Sequence, residues 1–177
     1  MSVQVEYLAD AAVDAALDRQ LRVLFTTCFT NPQDHVFRQR RYFKLPYPHR
    51  WTGRDPNGEI VAHIGAHERT MEIDGIEHRV GGVAEVCVHP NCRGRGYAWL
   101  MLSSVHEWLA ENGFSFALLF GDPAVYRSSG YVPVDNLFGA SADPGEGSSE
   151  HLSFAHAKAL TKTPWPTTDV FMEGVPF

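Results

Sequence analysis

The sequence predicts a single α/β domain, and three observations point there. Its 177 residues, 44% apolar and 20% charged, suffice for one buried core without disulfides or a structural metal. Strand-like and helix-like stretches follow one another along the chain, and one short run, FSFALLF, is wholly apolar, the pattern of a buried strand. No repeat and no linker separates two cores, so residues 1–177 read as one domain.

In order, VQVEYL reads as a first strand, and the segment after Asp10 sets Leu17, Leu21, Leu24, Phe25 and Cys28 on one helical stripe. Asn31-Pro32 stops that helix and caps a second, QDHVFRQRRYF. From His49 to Val80 the chain reads as antiparallel strands turned at Asp55-Pro56-Asn57-Gly58 and at Asp74-Gly75. GGVAEVCVHP follows as a further, mostly apolar strand. From Tyr97 the residues Ala98, Met101, Leu102, Val105, Trp108 and Leu109 form a stripe that closes at Asn112-Gly113. FSFALLF is the next strand, AVYRSS a short helix after Gly121-Asp122-Pro123, and YVPV a strand after Gly130. SADPGEGSS reads as an exposed loop, and HLSFAHA as a late strand before a proline-bearing tail.

A net charge of -6 argues against a nucleic-acid partner, which needs a clustered positive footprint, and is compatible with a cationic substrate. Three cysteines, Cys28, Cys87 and Cys92, are too few for a disulfide framework and fit a reducing compartment. The opening twenty residues carry Glu6, Asp10, Asp14 and Asp18 where a signal peptide needs a basic start, and no apolar run reaches membrane-spanning length. The expectation is a cytoplasmic protein with no membrane partner.

The stretch VCVHPNCRGRGYAWLML, residues 86–102, joins a strand through a polar turn with two arginines and two glycines to a helix. Backbone N–H groups at such a junction converge on one point, which suits an anion. A P-loop would need a lysine and a hydroxyl that are absent, and a dinucleotide fingerprint would need a third glycine where Trp99 stands. What remains is Arg93-x-x-Gly96-x-Ala98. Here the sequence resembles the GNAT superfamily of acyl-CoA-dependent N-acyltransferases, whose signature is Arg or Gln, two residues, Gly, one residue, then Gly or Ala. The resemblance runs from about Arg50 to Val134. It implies a mixed, bent sheet splayed between its fourth and fifth strands and flanked by helices, with acetyl-CoA as acyl donor. By the same likeness the backbone of Val86, Cys87 and Val88 pairs with the pantetheine arm, and Arg93, Gly94, Arg95, Gly96, Tyr97 and Ala98 wrap the pyrophosphate.

A buried strand, a short helix and Tyr126-x-x-x-Gly130-Tyr131 also match the family's order, which implies that Tyr126 protonates the departing thiolate. A phenol suits this, being neutral at working pH and able to donate to a developing sulfur anion. The family's base is commonly a carboxylate or a water on the fourth strand. Glu85 is the candidate, with a structural carboxylate as the equal alternative. Simple alternation puts it on the face of Cys87, and a bulge would change that.

His63 and His67 have the i, i+4 spacing of a helical zinc site, but their context is β-like, and four residues along a strand part the rings by roughly 13 Å. No metal is expected. Cys92, beside Arg93, invites a covalent acyl-cysteine route, yet no partner base is placed by any pattern, and a turn thiol is the better reading. Cys28 and Cys87 read as small packing residues. The run Arg38, Arg40, Arg41 reads as a solvated face that an acceptor or neighbouring chain could meet, and residues 29–47 and 136–150 take the positions of the family's acceptor pocket.

The implied reaction is transfer of an acetyl group from acetyl-CoA to a primary amine. The layout from Val61 to Gly96 is similar to aminoglycoside 2'-N-acetyltransferases and nodulation-factor acyltransferases, which suggests an amino sugar or another small amine; a homodimer stays open. A non-catalytic acyl-CoA sensor and an interaction scaffold on the same fold are the alternatives.

Overall fold

The structure, a computed structural model, describes residues 3–140, 149–173 and 177. In chain order the main elements are β1 (Gln4–Ala9), α1 (Ala15–Cys28), β2 (His49–Arg54), β3 (Ile60–Ile73), β4 (Ile76–Val88), α2 (Tyr97–Glu111), β5 (Phe116–Phe120), α3 (Pro123–Tyr126), β6 (Val132–Pro133), β7 (Leu137–Ala140), β8 (Ser149–His151), β9 (Ala155–Ala159) and β10 (Val170–Met172). They fall into two compact units, Met1–His67 with Val83–Val105, and Glu68–Gly82 with His106–Phe177.

In the first unit β2 lies between β1 and β3, antiparallel to both, with His49 opposite Ala9 on one side and Ala66 on the other. The β2–β3 turn forms where the sequence predicts it. The Asp55 carboxylate accepts from the N–H groups of Asn57 at 2.9 Å and Glu59 at 3.0 Å, and Gly58 takes φ 85°, a conformation that suits glycine. Asp14 caps α1 by accepting from the Leu17 N–H at 2.8 Å. The buried stripe Leu21, Leu24 and Phe25 packs with Phe37, Ile60 and Cys87.

The second predicted helix is shorter than its sequence suggests. A 3-10 helix spans Pro32–Arg38, opened by Asn31, whose N–H donates to the Asp34 carboxylate at 2.9 Å. It stops before the end of QDHVFRQRRYF because the following arginines bind elsewhere. Arg40 donates to the carbonyls of Tyr42 and Phe43, and Arg41 pairs with Asp10 and Asp18 at 2.8 and 3.0 Å. The tertiary ion pairs override local helical spacing.

In the second unit β3 and β4 turn at Asp74 and Gly75, both at positive φ (53° and 76°), the two-residue hairpin that an Asp-Gly pair favours. β4 is one strand of 13 residues, where the sequence suggested a hairpin arm and then GGVAEVCVHP as a further strand. Its inner Gly81 does not break it: Leu109 packs where a Cβ would stand, 2.6 Å away, so the missing side chain is filled by a neighbour. β5 runs parallel to β4, Val80 opposite Phe116 and Gly82 opposite Leu118. β9 pairs antiparallel with β5 and β6. β10 lies antiparallel to β3 and parallel to β7, and β8 is antiparallel to β7.

The late strand HLSFAHA divides, because Phe154 takes φ 62° and turns the chain between β8 and β9. β7 and β10, of four and three residues, are too short to show alternation, and the tail read as merely proline-bearing supplies β10. Most of the loop SADPGEGSS, residues 141–148, lies outside the described residues. Met71, Val80, Phe116, Leu118, Leu137 and Val170 centre this unit's core.

Candidate active site

The junction between β4 and α2 belongs to the first unit. Val86 and Val88 are half-buried and Cys87 is buried, its thiol among Leu21, Leu24, Phe25 and Phe37. A 3-10 turn, Pro90–Cys92, follows. Cys92, half-buried, packs against the cluster of Val3, Val61 and Tyr97. The exposed residues Arg93 to Gly96 then lead into α2 at Tyr97. Gly94 and Gly96 take φ 74° and 76°, and an added Cβ at either would meet nothing within 4 Å. The backbone conformation, not crowding, asks for glycine, and the space above stays open.

Two guanidinium groups brace the approach to this loop, Arg93 Nε donating to the Val88 carbonyl and Arg95 Nη2 to that of Asn91, each at 3.1 Å. Tyr97 is buried and anchors the helix start, and Ala98 is half-buried. The first turn of a helix presents N–H groups without intrahelical partners. With two arginines and bare glycines beside them, this loop offers open space and positive charge of the kind that suits an anion.

Glu85 is the irregular residue of β4. It takes φ 44°, which breaks strict alternation as a bulge would. Its Oε1 accepts from the Phe43 N–H at 2.9 Å, while Oε2 is buried and has no hydrogen-bond partner among the described residues. Burial pushes the carboxyl above its ordinary range, and the Phe43 N–H, the Tyr47 hydroxyl and the charges of Arg50 and Arg40 offset only part of this. The Tyr47 hydroxyl donates to the Arg41 carbonyl at 3.3 Å and accepts from Arg50 Nη1 at 3.0 Å. Like Cys87, the Glu85 side chain faces the segment from Phe25 to Phe43.

Around this carboxylate lies a polar network that sequence reading missed. Arg50 is wholly buried. Its Nε donates to Asp10 Oδ1 at 2.5 Å, Nη2 to the Arg41 carbonyl at 3.0 Å, and Nη1 also reaches His63 Nε2 at 3.2 Å. Burial pushes the Asp10 carboxyl up, but hydrogen bonds and charge from Arg41 and Arg50 together outweigh it and hold its pKa down. Tyr47 lies flat over Gly65, where a Cβ would run into its ring, and Arg50 stacks on that ring 4.3 Å from its centre. Partners 40 residues apart leave no local spacing to read.

His63 and His67 sit on β3, both buried. His67 packs edge-on to Tyr47, and His63 is held between Arg50 and Glu85. Among the described residues no group of three or more His, Cys, Asp or Glu side chains is placed to share a metal ion, and no helix is long and apolar enough to cross a membrane. The Cys28 thiol is held below its ordinary pKa by the neighbouring Cys87 thiol and by the charge of Arg93. Arg41 of the basic run is spent on ion pairs, not on solvent.

Tyr126 belongs to the second unit. It ends α3, which Asp122 caps by accepting from the Ala124 N–H at 2.8 Å. Gly121 makes room for its ring, since a Cβ there would stand 2.8 Å from Tyr126 Cε2. Tyr131 meets the ring edge-on at 6.1 Å and is bonded through its hydroxyl to His106 Nε2 at 2.9 Å. Burial, then the charge of Lys158, lowers His106 to about 3, so it stays neutral.

Residues 10–134 match the profile of a protein family described as "Acetyltransferase (GNAT) domain". Among solved structures, a GNAT family N-acetyltransferase from Escherichia coli, in complex with CoA, superposes with a TM-score of 0.67 at 17% identity, covering 98% of this chain and 89% of that one. A GNAT family acetyltransferase from Brucella melitensis, in complex with acetyl-CoA, gives 0.59 at 16% identity and 94% of both chains. One from Staphylococcus aureus gives 0.59 at 10% identity, covering 89% and 100%. At these identities the likeness is one of fold, and it agrees with the α/β fold class expected from the sequence. A search of the curated proteins found no match.

Proposed function

This chain belongs to the GNAT acetyltransferase family, and on that premise we propose that it is a single-domain enzyme transferring an acetyl group from acetyl-CoA to a small primary amine, amino sugars included. The observation that carries the reading is Glu85, whose buried Oε2 has no hydrogen-bond donor among the described residues and whose pKa burial raises above the ordinary carboxylate value. A carboxylate so placed is suited to take a proton from an ammonium. The open glycine loop at Arg93 to Ala98 supports acyl-CoA as donor, with the strand backbone of Val86, Cys87 and Val88 for the pantetheine arm.

In this reading Glu85 accepts a proton from the acceptor ammonium, leaving a neutral amine. The amine nitrogen forms a bond to the thioester carbonyl carbon, the C–S bond breaks, the thiolate takes the phenolic proton of Tyr126, and the second proton shed by the acylated nitrogen returns to that phenolate through solvent. The products are the N-acetyl amine and free coenzyme A. The enzyme works as a cytoplasmic protein with no nucleic-acid partner.

The test is thiol release from acetyl-CoA across a panel of aminoglycosides, polyamines and simple amines. Amine-dependent release is expected. Silence across the panel while acetyl-CoA still binds would favour an acyl-CoA sensor instead.

A further inference from the structure

We propose that His63 is a positioning residue, whose imidazole, oriented by Arg50, staples the left-handed backbone at Glu85 and so aims the candidate base; the proposal rests on reading Glu85 as that base. A glutamate at φ 44° near the end of a strand is a conformation that crowds its Cβ against the following carbonyl and persists only where its surroundings over-determine it. Two clamps do so. The carboxylate is held by the Phe43 N–H, and the Glu85 carbonyl is held by His63 Nδ1 at 3.0 Å.

The proton positions on His63 follow from its partners. A carbonyl oxygen only accepts, so Nδ1 must carry the hydrogen. A guanidinium only donates, so Nε2, 3.2 Å from Arg50 Nη1, must present its lone pair. The ring is therefore the neutral Nδ1–H tautomer, and burial with the charge of Arg50 agrees, lowering its pKa to about 3. Arg50 is in turn held by Asp10. A chain of single-sense contacts thus runs from Asp10 through Arg50 and His63 to the backbone of the bulge. None of these three side chains bonds the Glu85 carboxylate in the described structure. Their effect on it is carried by the backbone.

Two variants separate this role from mere packing. His63→Asn places a side-chain N–H near where Nδ1–H stood, and His63→Leu fills the space without a donor. His63→Leu should lower turnover by up to about 100-fold, as expected when a reacting group is displaced by about 1 Å, with acetyl-CoA affinity unchanged. His63→Asn should recover most of that loss. Equal loss in both variants, or wild-type turnover in His63→Leu, would overturn the proposal.

Nitrogen NMR of the wild-type ring gives a check that needs no variant. A neutral Nδ1–H imidazole from pH 5 to 8 is expected, and an Nε2–H tautomer would sink the idea. Glu85→Gln is measured alongside: if it keeps full turnover, the base reading fails by itself. The staple is then judged on amide hydrogen exchange at Val86, which should quicken in His63→Leu and not in His63→Asn, and an unchanged rate in His63→Leu would refute it.

Discussion

Replacing Asp10 by alanine removes the carboxylate that neutralises a wholly buried Arg50. Breaking a buried pair from one side typically costs about 3–5 kcal/mol, because the remaining charge is stranded. Arg50 keeps three other acceptors, the Arg41 carbonyl, the Tyr47 hydroxyl and His63 Nε2 at 3.0, 3.0 and 3.2 Å, so the lower end, about 3 kcal/mol, is expected. Arg41 also loses a partner but is part-exposed and retains Asp18, which adds well under about 1 kcal/mol. For a chain of this size about 3 kcal/mol corresponds to a fall in Tm of roughly 6–12 °C, read by circular dichroism.

Adding Arg50→Met removes the stranded charge, and the double variant should regain at least half of the loss. The gap between wild type and Asp10→Ala also has a pH signature. The folded pKa of Asp10 lies below its ordinary 3.8, so its contribution is complete above that value and disappears as pH falls through the lower folded one. A Tm fall under about 2 °C at neutral pH, or a double variant as unstable as the two single losses added together, would refute the account of Arg50.

Gly96→Glu puts a carboxylate into the open space over the loop and a side chain at φ 76°. Titration calorimetry should show acetyl-CoA binding abolished, while unfolding shows at most about 2 kcal/mol of destabilisation. Tyr126→Phe should lower kcat at least about 100-fold with coenzyme affinity unchanged; equal turnover would dismiss it as the acid. Because burial raises Glu85, kcat/KM should fall with decreasing pH along a limb whose midpoint lies above the ordinary carboxylate range, since protonation removes the base. Glu85→Gln should erase that limb, and a limb that survives it belongs to another group.

What can be read in order along this chain was legible without the structure. The Asp-Gly and Asp-Pro-Asn-Gly turns, the cap at Asn31, the stripe of α2 and the glycine loop before it are short-range devices, each encoded by residues within a few positions of one another. Their physics is local: a φ that only glycine adopts easily, a carboxylate facing its own next N–H groups, a repeat of 3.6 residues. The arginine loop was read this way, while Tyr126 was singled out by the resemblance to the family.

Tertiary structure alone decided what depends on partners far apart in sequence. Strand alternation could not say that Glu85 sits at positive φ with one oxygen clamped and the other without a partner among the described residues, because Phe43, Tyr47, Arg50 and His63 surround it from three separate stretches of chain. Nor could composition show that Arg41 serves Asp10 and Asp18, or that His63 holds the Glu85 carbonyl. Burial and charge pairing are properties of the packed molecule, and they turn a plain acidic residue on a strand into a candidate base.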